Sequence, residues 1–344
     1  MKPELSERLF VEKLFADSIE RKKIEEIKNL EVEKLTGDAS TRRYYRIEGE
    51  GRSYVVCLAN PLEKEQHLSP FMEVQKLLES EGVRVPRIYD YDPSQGYFLE
   101  EDLGDQTLIR YLAENNTVDE EVELYTKIID ILISIHKIQP SSLENKKCSE
   151  LAFDFEKLYS EVEFTNKYLI EKFFNHKLSD DEARILRSEF TKICEPLANQ
   201  KRVLTHRDFH TRNIMVINNE FVVIDFQDAR MGIAQYDLVS MLEDAYYKIE
   251  RSNKYELKKY YYNEFAAKNT QNYSFESFLR DYDYAAIQRV YKAIGSFAYI
   301  YSTRADHRYL KYIGYCFENL RSILNKNDEL QELSTCLSKI YYEY

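Results

Sequence analysis

The chain has 344 residues, with 60 acidic side chains against 48 basic ones and a formal net charge of −12. That balance argues against nucleic acid or an anionic membrane surface as the main partner, while leaving room for a local basic pocket. With 44% hydrophobic residues the chain can fill a large core, as one large domain or as a two-lobed protein.

The first thirty residues carry Glu and Lys throughout and contain no apolar signal segment, and no run of eighteen apolar residues occurs. Five cysteines stand at 57, 148, 194, 316 and 336 without a C-x-x-C pair, which speaks against zinc and redox motifs and for reduced, cytoplasmic thiols. The 29 Tyr and the lack of Trp fit either a compositional bias or tyrosines lining a polar ligand pocket.

Leu9, Phe10, Leu14, Phe15, Ile19, Ile24 and Ile27 recur at near-helical spacing and predict a leading helix over 4–29. Three strands follow, over 31–35, 43–47 and 53–58, the first two parted by the turn residues Gly37-Asp38-Ala39-Ser40. Ser69 as cap and Pro70 as first residue predict a helix over 69–81. Strands over 87–91 and 97–101 complete a small α+β unit, and a domain boundary is expected near residue 103: 1–103 as an N-terminal lobe, 104–344 as a helical C-terminal lobe. The helical part is interrupted by a loop, 206–213, and by two short strands over 214–217 and 221–224, turned by Asn218-Asn219.

The loop reads His206-Arg207-Asp208-Phe209-His210-Thr211-Arg212-Asn213, and Ile224-Asp225-Phe226-Gln227-Asp228 follows. The pattern H-x-D-x-x-x-x-N, an apolar strand, then I-D-F supplies the oxygen-bearing groups that phosphoryl transfer requires. Asp208 is the candidate base that orients the attacking hydroxyl; Asn213 and Asp225 are the candidate ligands of Mg²⁺. Aspartates that merely cap turns would need no such joint spacing. Asp237 reads either as an anchor beneath this loop or as the cap of a helix over 238–247.

These segments, with Gly37–Arg46, Pro61–Glu65, Leu99–Asp105 and Tyr236–Ser240, resemble the aminoglycoside phosphotransferase and choline kinase group of the protein-kinase-like superfamily. Within it the chain is more similar to the bacterial anomeric kinases of N-acetylmuramate and N-acetylglucosamine. A weaker similarity includes Gln288, Arg289, Lys292, Gly295 and Phe297, and the first thirty residues lie outside the resemblance. It implies an α+β, bilobal fold with a five-stranded antiparallel N-lobe, a mostly helical C-lobe and ATP in the cleft. Leu99–Leu103 would be the hinge for adenine, with Glu101 and Leu103 among the nucleotide-binding residues. It further implies phosphorylation of the C1 hydroxyl of an amino sugar, with a role in cell-wall sugar recycling.

Three departures qualify the resemblance. The nucleotide loop keeps one glycine, so Ser40, Thr41 and Arg43 would hold phosphate with side chains. The third strand reads Val55-Val56-Cys57-Leu58, without the lysine that protein kinases place there, and Lys64 or Arg43 would supply the charge. Only eleven residues part Asp225 from Asp237, too few for a regulatory activation segment. For the acceptor, Arg289 and Lys292 share one helix face at i, i+3, and His210 and Asp228 flank the loop. A cationic acceptor would instead use Glu161, Glu163, Glu243 and Asp244. Two readings compete with the sugar kinase: a kinase of another small alcohol (aminoglycoside, choline, homoserine or hexose), and a pseudokinase scaffold without chemistry.

Overall fold

A computed structural model of the chain describes residues 3–35, 42–61, 69–115 and 118–343. The residues group into two compact units, Met1–Gln106 with Met215–Gln227, and Thr107–Ile214 with Asp228–Tyr344. The hairpin that a cut near residue 103 assigns to the second unit thus groups with the first. The reason is apolar: Leu103 packs against Met215 and Val222, with Ile217 and Ile224 at the margin, and the backbone N–H of Val216 donates to Gln106 O at 2.8 Å.

The first unit is built on a five-stranded antiparallel sheet of order β1-β2-β3-β5-β4, from β1 (Glu31–Leu35), β2 (Arg43–Gly49), β3 (Arg52–Leu58), β4 (Ile88–Asp92) and β5 (Tyr97–Glu101). Alternation along the strands gives the sheet two buried faces. One carries Tyr45, Ile47, Val56, Leu58, Tyr97 and Leu99, covered by Val11, Leu14 and Phe15 of helix α1 (Pro3–Glu20). Ser18 Oγ fastens this helix by donating to Asp90 Oδ2 at 2.6 Å and by bonding Tyr97 OH at 2.9 Å.

Helix α1 ends at Glu20, not at residue 29. Lys22 takes φ 58°, its N–H donates to Ile19 O and the Lys23 N–H donates to Ser18 O, the paired bonds of a Schellman stop. Ile24 and Ile27 keep their contact with the same core from a non-helical segment, which is why they mimic helical spacing. Helix α2 (Pro70–Ser80) starts as expected, with Ser69 Oγ accepting the Met72 N–H at 3.2 Å. It sets Phe71 against Phe98 of the second sheet face, at 5.1 Å between ring centres. Strands β7 (Ile214–Ile217) and β8 (Glu220–Val223) form the expected hairpin, and Asn218 and Asn219 both take positive φ, 51° and 62°.

The second unit is mostly helical. Its functional parts rest on a two-stranded sheet of β6 (Arg202–Thr205) and β9 (Arg230–Ile233), on helix α3 (Val118–His136), on α4 (Gln235–Leu242) and on the 30-residue α5 (Phe275–Arg304). Gly295 lets α5 pass close to Thr165: a Cβ there would sit 2.2 Å from Thr165 Oγ1. Among the described residues, no helix is long and apolar enough to cross a membrane.

Candidate functional site

Strand β6 delivers the chain into the loop 206–213, and buried acceptors hold the loop in shape. Asp237, fully buried in the first turn of α4, takes the His206 N–H on Oδ2 at 2.6 Å and the Arg207 N–H on Oδ1 at 2.9 Å. Of its two expected roles it fills that of anchor, and α4 spans 235–242 instead of 238–247. Two consecutive N–H groups can converge on one carboxylate because Arg207 takes φ 84°, a conformation that this pair of charge-assisted bonds offsets. Farther along, the Thr211 N–H and hydroxyl both donate to Asp244 Oδ2, at 3.0 and 2.6 Å. The Asn213 amide donates to Asp208 O at 2.9 Å, which turns the oxygen end of that amide away from the loop backbone.

Asp208 stands at the centre of a charge cluster. Arg289 Nη2 donates to its Oδ1 at 3.0 Å and Lys292 Nζ to the same atom at 3.2 Å, while Arg207 Nε lies 3.8 Å from Oδ2. Burial alone would raise the carboxyl, but Lys292, Arg289 and Arg207 outweigh it and hold Asp208 well below the usual carboxylate range. Burial lowers the Lys292 ammonium from its ordinary value, against the pull of Asp208. Arg289 is itself fixed by Nε donating to Ser240 Oγ at 2.9 Å. The helix face of Arg289 and Lys292 is therefore not a solvated stripe; it converges on the candidate base.

A cavity of about 110 Å³ opens beside this cluster, lined by Asp208, His210, Tyr246, Arg289, Lys292, Ser296 and Phe297 among others. The His210 ring lies edge-on to Tyr246 at 5.4 Å, and its Nδ1 is buried without a hydrogen-bond partner. Burial lowers the His210 imidazole from its ordinary value, against the pull of Asp244 and Asp208. Asp228 does not join this group. It is exposed and accepts from Arg207 Nη1 at 2.7 Å.

The first unit carries the remaining candidates. Asp225 follows β8 at φ 63°, a conformation that Asp tolerates, and its Oδ1 accepts from Gln227 Nε2 at 2.7 Å. Leu103 is buried in the apolar patch with Met215 and Val222, whereas the Glu101 carboxylate is taken up by Arg84 at 2.5 Å and by the Arg87 N–H at 3.1 Å. The Glu101 backbone N–H is taken as well, donating to Arg87 O at 2.9 Å. Arg43, expected on phosphate, instead pairs with Glu7 of α1 at 2.8 Å. Ser40, Thr41 and Lys64 lie outside the described residues. The sequence reading missed Arg46, whose Nε donates to Asp102 Oδ2 at 2.7 Å and whose Nη2 donates to Asp105 Oδ1 at 3.0 Å. It ties two of the quoted segments together, and only their shared acidic-basic content hinted at that.

No group of three or more His, Cys, Asp or Glu side chains stands together as a metal cage among the described residues. One carboxylate and one amide oxygen are nevertheless the hard donors that suit Mg²⁺, which takes one or two protein ligands and fills its shell with phosphate and water.

Residues 31–273 match the model of the phosphotransferase enzyme family. The chain is 31% identical to an N-acetylmuramate/N-acetylglucosamine kinase of Pseudomonas aeruginosa, over 92% of this chain and 90% of that one. It is 28% identical to the protein of the same name from Neisseria meningitidis serogroup B, over 88% of each. Among solved structures it shares the fold of a choline kinase from Streptococcus pneumoniae, with a TM-score of 0.59 and 14% identity over 91% of this chain and 98% of that one.

Proposed function

We propose that this chain, which belongs to the phosphotransferase enzyme family, transfers the γ-phosphoryl group of ATP to the anomeric hydroxyl of an N-acetylated amino sugar of the glucosamine or muramate type. The observation that carries the proposal is the 31% identity to the P. aeruginosa kinase across nine-tenths of both chains. The five cysteines, all buried and none in a C-x-x-C pair, support residence in the reducing cytoplasm.

The charge around Asp208 suits this acceptor class. Both cations bind Oδ1, so Oδ2 is the oxygen we assign to the acceptor hydroxyl. A carboxylate held so far down is a weak base, and its main contribution is to orient the hydroxyl and receive the proton late. An anomeric hydroxyl is more acidic than an ordinary alcohol and asks for little more. His210 and Tyr246 line the cavity with a polar and an aromatic edge, the Tyr246 ring being held by Arg212 at 3.9 Å. We assign Mg²⁺ to Asn213 and Asp225; when bound it supplies positive charge that neutralises the phosphates. The apolar patch around Leu103 is assigned to the adenine.

A polycationic acceptor is disfavoured because three of the four acids that would receive it, all but the exposed Glu163, are engaged. Glu243 is held by Lys254 at 2.6 Å and by Tyr282 OH at 2.9 Å, Asp244 by Thr211, and Glu161 by Lys157 at 3.2 Å.

The test incubates the protein with Mg-ATP and a panel of N-acetylglucosamine, N-acetylmuramate, a hexose, choline, homoserine and an aminoglycoside, and follows ADP release. Phosphorus NMR then locates the phosphate, with coupling to H1 expected. Turnover of choline or the aminoglycoside alone overturns the sugar reading, and ATP binding without ADP release from any acceptor supports a scaffold. Asp208→Ala should lower kcat by roughly 10²–10⁴-fold with ATP binding intact.

A further inference from the structure

We infer that Arg42, on the sheet face where the third-strand lysine is absent, acts as a positioning residue: through Gln227 it fixes the carboxylate of Asp225. The inference rests on the assignment of Asp225 to Mg²⁺.

The register of the sheet brings Arg42 to the right place. Tyr44 of β2 pairs directly with Cys57 of β3, at the stretch where the lysine is absent. Arg42 precedes Tyr44 by two residues, so an extended chain puts the two on one face. Its surroundings agree: the charges that bear on its guanidinium include Tyr44, Cys57 and Glu100, all of that face. Arg43 points to the other side and is consumed by Glu7.

From there the guanidinium reaches the segment after β8. It lies over the Phe71 ring at 4.9 Å, and Nη1 donates to Gln227 Oε1 at 3.1 Å. Gln227 Nε2 in turn donates to Asp225 Oδ1 at 2.7 Å. The direction of this chain is chemically forced, because a guanidinium can only donate and a carboxylate can only accept. The Gln227 amide, with an acceptor oxygen and a donor nitrogen, serves both at once. Phe226, fully buried between the two polar residues, stacks on the same Phe71 ring at 5.0 Å and 19°. Residues 226 and 227 are thus clamped to α2 and Arg42, and the exposed Asp225 inherits a fixed orientation. A strand lysine would act as a point charge on phosphate; Arg42 with Gln227 instead sets the geometry of a metal ligand.

The test measures ATP affinity by calorimetry with and without MgCl₂, on wild type, Arg42→Ala, Arg42→Lys, Gln227→Ala, the Arg42→Ala/Gln227→Ala double variant and Asp225→Asn, each checked for an intact thermal transition. Arg42→Ala and Gln227→Ala should each reduce the Mg²⁺-dependent gain in affinity by about tenfold and leave Mg²⁺-free affinity within about twofold. The double variant should lose no more than either single one, and Arg42→Lys should recover part of the loss. An undiminished gain in Arg42→Ala while Asp225→Asn loses it, an equal loss of Mg²⁺-free affinity, or multiplicative losses in the double variant would overturn the inference. If Asp225→Asn matches wild type, the metal assignment itself falls and takes the inference with it. Sugar turnover enters none of these readouts.

Discussion

Arg289→Ala removes one of the two cations that hydrogen-bond Asp208 Oδ1 and also the 2.9 Å bond from Arg289 Nε to Ser240 Oγ. Lys292 remains on Oδ1 at 3.2 Å. A hydrogen bond to a charged group contributes roughly 1.5–3 kcal/mol. The Asp208 side chain is 25% exposed, so water recovers part of the loss. A net cost of about 2 kcal/mol in the transition state corresponds to about 30-fold in kcat/KM, at 1.36 kcal/mol per tenfold. Arg289→Lys restores charge but cannot span Ser240 and Asp208 together, and should recover only part of the rate. The pH profile gives an independent reading. Asp208 is depressed in the folded protein, with burial opposing and Lys292, Arg289 and Arg207 prevailing. Its contribution to stability is therefore complete above the unfolded-chain value of about 3.9 and fades as the pH falls through the lower folded value. Loss of Arg289 must move the acid limb of kcat/KM upward. The assay is coupled ADP release with N-acetylglucosamine across the acidic range. A variant within threefold of wild type, with its acid limb unmoved, would refute the role given to this pair.

Asp237→Ala strands the buried N–H groups of His206 and Arg207; a loss of roughly 3 kcal/mol is expected in urea unfolding, with kcat falling alongside. Gly295→Ala should lower the thermal midpoint, because the new Cβ meets Thr165 Oγ1 and overpacking costs about 1–3 kcal/mol. In a helix free of that contact the same change would stabilise by about 1 kcal/mol, so the sign alone decides. Ser18→Ala leaves Asp90 and Tyr97 short of a partner under α1 and should cost about 1–2 kcal/mol, with ATP affinity unchanged.

Local chemistry made much of the fold legible. Ser69-Pro70 marks a helix start because the hydroxyl and the missing N–H both suit the first turn, and Asn218-Asn219 marks a hairpin because both residues accept positive φ. The loop around Asp208 was legible for the same reason: its groups are close in sequence. Failures came where position depends on distant chain. Ile24 and Ile27 kept the spacing of a helix that the Schellman stop had already ended. Strand β9 exists because β6 offers it a partner, from Thr205 against Arg230 to Arg202 against Ile233.

The cation in the first unit is the sharper case. Arg42 and Arg43 are neighbours, and nothing local says which of them meets α1 and which meets the opposite face. Register decides it: Tyr44 faces Cys57 and Tyr45 faces Val56, so the parity of the strand sends Arg43 toward Glu7 and Arg42 toward Phe71 and Gln227. A one-residue slip of β2 would exchange the two arginines and bring Tyr45 out of the core beneath α1. Burial of Tyr45 and Ile47 therefore specifies not only the sheet but also which arginine is presented to the segment that bears Asp225.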